Sequence, residues 1–370
     1  MIYHIITTPE CNLCCAYCCD KAFEEPESKF AFEKVPQKIE YSMKELNSFL
    51  SKDKSPEGVS IIFYGGEPLL EIDSIKQIMD SANAKNFLIQ TNGILLDRLP
   101  SKYANKFHTI LVSIDGPKKT TDKNRGEGTY EKVISNLKLL KKNGFNGEII
   151  ARMCIEEPAD FYKDIMFLLK NKDFLFTSIH WQLDANMWHD YKKRNFSNWS
   201  TEYNKQIMKL ANYWLSQMKK EKVLRLYPFI GIMNSLLFGE KYYLRCGSGI
   251  GNFTILPNGK ISACPIMSGM SDYYIGDIKN SSPSKLPFKL TVKEPCVSCE
   301  DFELCGGRCL YANITKPWPE KGRKELCETV KHLLREMERI APQIQKILDS
   351  GKIKKKQLEF LKYNCAEIIP

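Results

Sequence analysis

Three cysteines, Cys11, Cys15 and Cys18, fall in a C-x3-C-x2-C run directly after the apolar stretch Ile2 to Ile6. Cysteine thiolates in such a run are ligands for an iron–sulfur cluster. Three of them hold a four-iron cubane and leave its fourth iron open, which marks a site for chemistry rather than simple electron storage. The register survives two extra cysteines. A pattern started at Cys14 needs a cysteine at Lys21, and one started at Cys15 needs it at Ala22. The competing reading is zinc, whose structural sites take four ligands, usually as two separated CxxC pairs.

A second set of cysteines has its own spacing. Cys246 is followed by Gly259 and Cys264, then by Cys296-x2-Cys299-x5-Cys305-x3-Cys309 and, after seventeen intervening residues, by Cys327. Seven ligands do not divide into two four-ligand zinc sites. Loop-rich stretches with little apolar core need a metal to order them. The N-terminus shows no basic region or cleavage site, so the protein is expected to be cytoplasmic, where 14 cysteines point to metal rather than disulfides. Cys14 and Cys19 are left as packing residues, and Cys154 reads as a small buried hydrophobe in a strand.

The first motif resembles the cluster motif of radical S-adenosylmethionine (SAM) enzymes, CNLxCxYC, in which Asn12, Leu13 and Tyr17 match as well as the cysteines. The resemblance implies that SAM chelates the open iron and is cleaved to a 5′-deoxyadenosyl radical, with Tyr17 near the adenine. Gly65-Gly66-Glu67-Pro68 resembles the family's GGEP motif for the methionyl amine. Two glycines admit backbone carbonyls to an ammonium, and Glu67 supports the turn. Asn92 and Ser113 resemble positions lining the SAM pocket, and Arg125 resembles the arginine that pairs with the SAM carboxylate. Turn formation before glycine is the plain alternative for Asn92 and Asp115.

The later cysteines resemble a SPASM domain, which implies two auxiliary clusters and therefore three [4Fe-4S] clusters in all. By that resemblance Cys296, Cys299, Cys305 and Cys327 hold the outer cluster, and Cys246, Cys264 and Cys309 the inner one. Some relatives supply an eighth cysteine in the hairpin region, and this chain has none between Cys246 and Cys264. The inner cluster then keeps an open iron, suited to a substrate thiolate, or takes Cys154, Cys365 or water.

These residues need a scaffold. Apolar β-rich runs at Ile2–Thr7, Val59–Tyr64, Phe87–Thr91, Thr109–Ile114, Glu148–Ile155 and Thr177–Leu183 alternate with helical patterns. Ser42 and Glu45 form a capping-box signal, and Val133, Leu137 and Leu140 share a face of a helix that stops at Gly144. Six strands with crossovers give an α/β fold with a parallel sheet. The resemblance selects a partial (β/α)6 TIM-like barrel over an open sheet, with the site at the C-terminal strand ends. Asn252–Leu256 and Lys260–Cys264 read as a hairpin, and Ser281–Pro295 as a connecting loop. The expected division is a barrel over 1–235, a SPASM domain over 236–340 and a helical tail over 341–370. The lysine run Lys352–Lys356 reads as the solvated face of a helix.

No apolar run approaches the roughly 20 residues of a membrane span. The net charge of +10 is spread out, with no RNA-binding aromatic signature, so neither membrane nor nucleic acid is an expected partner. SPASM-bearing radical SAM enzymes mostly modify ribosomally made peptides or proteins, which makes a thioether or carbon–carbon crosslink the leading expectation. Formylglycine formation, as in sulfatase maturation, is the alternative. Its two proton-handling positions hold Asp20 and Pro265 here. The chain starts ten residues before Cys11, so a separate leader-peptide-binding protein is expected, together with an electron donor of flavodoxin or ferredoxin type. A multi-cluster electron carrier is the non-enzyme reading, and such a carrier does not need the Gly65–Pro68, Ser113 and Arg125 set.

Overall fold

The computed structural model describes residues 1–18, 29–170, 173, 175–364 and 366–370. Cys19, Asp20 and Cys365 lie outside them. In chain order the strands are β1 (Ile2–Thr8), β2 (Ser60–Gly65), β3 (Asn86–Thr91), β4 (Phe107–Ser113), β5 (Glu148–Ile155), β6 (Ser178–Leu183), β7 (Asn252–Ile255), β8 (Lys260–Ser262) and β9 (Tyr274–Asp277). The helices are α1 (Met43–Leu50), α2 (Ile72–Ser81), α3 (Ser101–Ala104), α4 (Lys118–Arg125), α5 (Thr129–Lys142), α6 (Phe161–Leu169), α7 (Phe196–Met218), α8 (Tyr227–Phe238), α9 (Phe302–Cys305), α10 (Leu310–Thr315) and α11 (Glu320–Asp349).

The chain forms two compact units that interleave along the sequence. One comprises residues 1–151, 173–175 and 247–291, and the other 152–172, 176–246 and 292–370. In the first, the strand order is β5-β4-β3-β2-β1-β7-β8-β9. β1 pairs parallel with β2, β2 with β3, and β3 with β4. Every residue of β1 is buried, as expected of a strand covered on both faces. The capping box at Ser42 and Glu45 is formed in both directions. In the second unit the C-terminal half of β5 runs beside β6. There Trp181 of β6 packs against Phe161 and Phe229, with ring centroids at 5.0 and 5.4 Å. The α/β partial-barrel expectation is met.

Three features depart from the sequence reading. β7, expected only as half of a hairpin, also pairs parallel with β1 and extends the barrel sheet. Its burial leaves no period-two pattern that would have announced a second neighbour. β9, which completes that extension, was not anticipated. Among the described residues beyond Asp349, helix is limited to a short turn at Lys355–Leu358, so Lys352–Lys356 does not occupy one continuous helix. Gly351, with φ of 75°, ends the helical path. Among the described residues, no helix is long and apolar enough to cross a membrane.

Candidate active site

The C-terminal ends of β1 to β4 all lie in the first unit, and each carries a piece of the site. β1 leads into the cysteine loop, β2 into Gly65–Pro68, β3 into Asn92 and β4 into Ser113 and Asp115. The cysteine loop lies directly on the β2 turn. Gly66 N donates to the Thr8 carbonyl at 2.9 Å, and Glu67 N to that of Glu10 at 2.8 Å. A Cβ on Gly65 would collide with the Thr8 carbonyl oxygen, and one on Gly66 with those of Pro9 and Glu10. The paired glycines are therefore required by the approach of the cysteine loop itself.

Glu67 is fully buried and ties the strand ends together. Its carboxylate accepts from Leu69 N at 3.0 Å, Thr91 Oγ1 at 2.7 Å and Asn92 N at 2.7 Å. Burial pushes its pKa up to about 7 against the pull of those three donors. Pro68 opens the short turn that follows. Asn92 donates through Nδ2 to Asn12 Oδ1 at 2.8 Å and lies 3.8 Å from Cys11 Sγ. Its amide thus holds the cysteine loop on β3.

The other side of the loop is held by Asp115. Arg125 donates to it twice, from Nε at 3.0 Å and Nη2 at 2.8 Å, and Tyr17 Oη donates at 3.1 Å. The Arg125 guanidinium also lies over the Tyr17 ring, 5.4 Å from its centroid, and hydrogen-bonds the Cys15 side chain. Burial works against the charge on Arg125, but Asp115 and Tyr17 prevail and hold it more firmly protonated. Arg125, expected to pair with the SAM carboxylate, makes its two-bond fork in the structure with Asp115. Sequence reasoning weighed pocket contact and turn formation for Asp115 but not a pairing with Arg125, because nothing in S-I-D-G signals a partner ten residues on. Ser113 sits half-buried at the end of β4.

Cluster ligands are thiolates that accept N–H donors. Cys11 accepts from Leu13 N at 3.5 Å, and Cys15 from Arg125. Burial pushes both thiols up, and these donors pull them back toward the thiolate. The loop fits a cluster on this test. Cys14, expected to pack, is disulfide-bonded.

In the second unit Cys296 and Cys327 lie within electrostatic reach of each other and each of Cys299 and Cys305. Burial pushes Cys305 up to about 11, while the backbone N–H groups of Gly307 and Arg308 pull it down. Asn313 Nδ2 approaches Cys296 Sγ at 3.5 Å. Gly306, with φ of 74°, closes α9 and turns the chain toward Cys309, which caps α10 through Ala312 N at 3.5 Å. Arg245, completely buried beside Cys246, donates to the carbonyls of Gly231 and Leu304 at 2.8 and 2.6 Å. It fixes the approach to both Cys246 and Cys305, and a lone arginine gives no sequence signal of that role. Cys246 and Cys309 belong to this unit and Cys264 to the other. Cys154 is half-buried on β5. Among the described residues no three His, Cys, Asp or Glu side chains form a single-ion site. The sulfurs of a cubane sit on separate irons and need not meet at one point.

A parallel sheet with the Cys11–Cys18 loop at its C-terminal strand ends defines an α/β protein whose thiols are arranged as a candidate cluster site. Residues 5–165 match the Radical SAM superfamily, and the chain carries that superfamily's domain. The cysteine-type anaerobic sulfatase-maturating enzyme of Clostridium perfringens is 26% identical over 334 residues, spanning 83% of this chain and 87% of that protein. The radical SAM cyclopropyl synthase TigE of Paramaledivibacter caminithermalis is 23% identical over 364 residues, 90% and 73% of the two chains. The fold is shared with "Native anSMEcpe with bound AdoMet" at a TM-score of 0.72 and 22% identity, over 95% of this chain and 100% of that one. It is also shared with Streptococcus suis SuiB bound to precursor peptide SuiA, at 0.58 and 18%, over 85% and 72%.

Proposed function

We propose that this chain is a radical SAM enzyme that modifies a side chain of a ribosomally made peptide or protein by hydrogen abstraction, forming a thioether or carbon–carbon crosslink. The observation that carries the reading is the pinning of the Cys11–Cys18 loop between the β2 and β3 turns and the Asp115–Arg125 pair. A cluster on Cys11, Cys15 and Cys18 with SAM on its open iron would supply the 5′-deoxyadenosyl radical. The chain's own residues position it. Glu67 and Asn92 fix the loop height, Asp115 and Arg125 fix its lateral place, and Tyr17 stands between them as a ring surface for an adenine.

In this reading residues 1–235 serve the radical step, 236–340 hold two auxiliary clusters and 341–370 form the tail. Cys296, Cys299, Cys305 and Cys327 would hold the outer cluster and Cys246, Cys264 and Cys309 the inner one. An external one-electron donor is required, because SAM cleavage consumes an electron. Pro265 follows Cys264 and opens a short turn with no proton-handling side chain of its own. That feature favours crosslinking over formylglycine formation, which the likeness to the sulfatase-maturating enzyme keeps as the second reading.

The test is anaerobic turnover with candidate cysteine-containing peptides, read by mass spectrometry. A product that keeps its sulfur, loses two hydrogens and resists alkylation supports the thioether. Replacement of sulfur by a carbonyl oxygen would establish the second reading and end the first.

A further inference from the structure

Between Cys305 and Cys309 the chain takes a positive φ at three residues in succession: Gly306 at 74°, Gly307 at 89° and Arg308 at 51°. Glycine adopts that conformation at little cost, whereas a residue with a long side chain is strained in it. Strained positions of this kind persist where the surroundings hold them, and they gather at functional sites. Arg308 is the member of the three whose side chain could supply such a function.

Its guanidinium is tied at one end only. Nε donates to the Pro370 carbonyl at 3.3 Å, while Nη2 is buried and has no hydrogen-bond partner among the described residues. A buried N–H donor left without an acceptor is costly and calls for an explanation. Among the described residues no Asp or Glu side chain pairs with Arg308. The neighbouring cation differs in this respect, since Lys331 lies 3.5 Å from Glu300 and 3.4 Å from Asp301. What surrounds Arg308 instead is thiol. Its backbone N–H donates to Cys305, as does that of Gly307. Burial pushes Cys327 up, and Arg308 is the largest influence opposing it, ahead of Lys331. The potential of an iron–sulfur cluster follows its net charge and the hydrogen bonds to its sulfurs. A cation with an outstanding N–H donor supplies both.

We propose that Arg308 raises the reduction potential of the outer auxiliary cluster, by setting a fixed cation and an outstanding N–H donor beside the four cysteines that would hold it. The proposal rests on the reading of Cys296, Cys299, Cys305 and Cys327 as one cluster set. Uptake of one electron from the external donor adds one negative charge to that set, and the guanidinium stabilises the reduced form over the oxidised one. Arg308 acts through the cluster and is not a catalytic residue.

The readout is the midpoint potential of that cluster, followed by electron paramagnetic resonance during an anaerobic dithionite titration of the iron-loaded full chain. A Cys11/Cys15/Cys18 triple alanine background removes the N-terminal cluster, and the outer signal is the one lost when Cys296 and Cys299 are also replaced by alanine. Arg308→Lys keeps the charge and Arg308→Gln removes it, and both place a long side chain at the same φ of 51°. At the midpoint of the Arg308 protein, Arg308→Gln should shift the reduced-to-oxidised ratio about tenfold toward oxidised, a fall of about 59 mV for one electron, and Arg308→Lys should stay within about threefold. An unchanged midpoint in Arg308→Gln, or equal shifts in the two variants, overturns the proposal and leaves Arg308 as a structural tie to Pro370. Should Arg308→Gln not load iron, Arg308→Gly, which suits the backbone, takes its place with the same shift expected and the same result overturning. Iron content showing no outer cluster in the unaltered protein overturns the proposal together with the cluster reading. No part of the titration uses SAM, so absent SAM cleavage would count against the proposed function alone.

Discussion

Glu67 carries a carboxylate that water does not reach, and among the described residues its charge is stabilised by three donors, from Leu69, Thr91 and Asn92. Its pKa rises from 4.5 to about 7 on folding, with burial as the cause. Between those values the folded state holds a proton that the unfolded state has lost. The contribution is therefore fully present below pH 4.5 and is lost as pH rises through about 7. Over that window the loss is on the order of 3 kcal/mol. Urea unfolding of Glu67→Gln, compared with the unaltered protein from pH 4.5 to 7, should show a flatter profile. Parallel profiles would show that the carboxyl stays ionised throughout. At Arg125 the charge is matched by a neighbour, and removing it takes the guanidinium from the buried Asp115 carboxylate and leaves neutral donors such as Tyr17 and Asn124. Arg125→Ala should cost about 3–5 kcal/mol of stability, the range for one partner removed from a buried pair. Thermal melts check this, and a variant within about 0.5 kcal/mol of the parent would show that Asp115 does not depend on the arginine.

At the scale of elements, the site is made where a loop and two turns press on one another. Gly66→Ala should disrupt it more than a cavity-forming change, since the added methyl meets the backbone of Pro9 and Glu10, which cannot rotate away. The expected outcome is a folded protein that retains auxiliary iron and loses the iron of the N-terminal cluster, measured by iron content on the reconstituted variant. Full iron loading would show that the loop yields. The strands of this layer were legible because buried parallel strands read as continuous apolar runs, and Glu148–Ile155 is reproduced to the residue. The capping box was legible because its two residues are local. What pairs across sequence distance was not. Neither the parallel contact of β7 with β1 nor the Asp115–Arg125 fork leaves a mark in its own segment.

For the whole molecule, cysteine spacing carried the reading further than periodicity did, because ligand chemistry restricts spacing more tightly than packing does. Cys296, Cys299, Cys305 and Cys327, which the resemblance assigns to one cluster, lie in one unit. The tail gave no comparable signal, since Asn364 and Glu367 are polar residues that a sequence reading leaves on the surface. Three cubane clusters would bring about twelve irons per chain, and a Cys11/Cys15/Cys18 triple alanine variant would keep roughly two-thirds of that iron. The most direct test of the central claim uses that pair of proteins under anaerobic reduction with SAM, with 5′-deoxyadenosine measured by chromatography. The unaltered protein should form it, and the triple variant should form none while retaining its auxiliary iron. Equal 5′-deoxyadenosine from the two proteins, or none from an iron-replete unaltered protein, would contradict the assignment of the N-terminal loop as the radical-forming site.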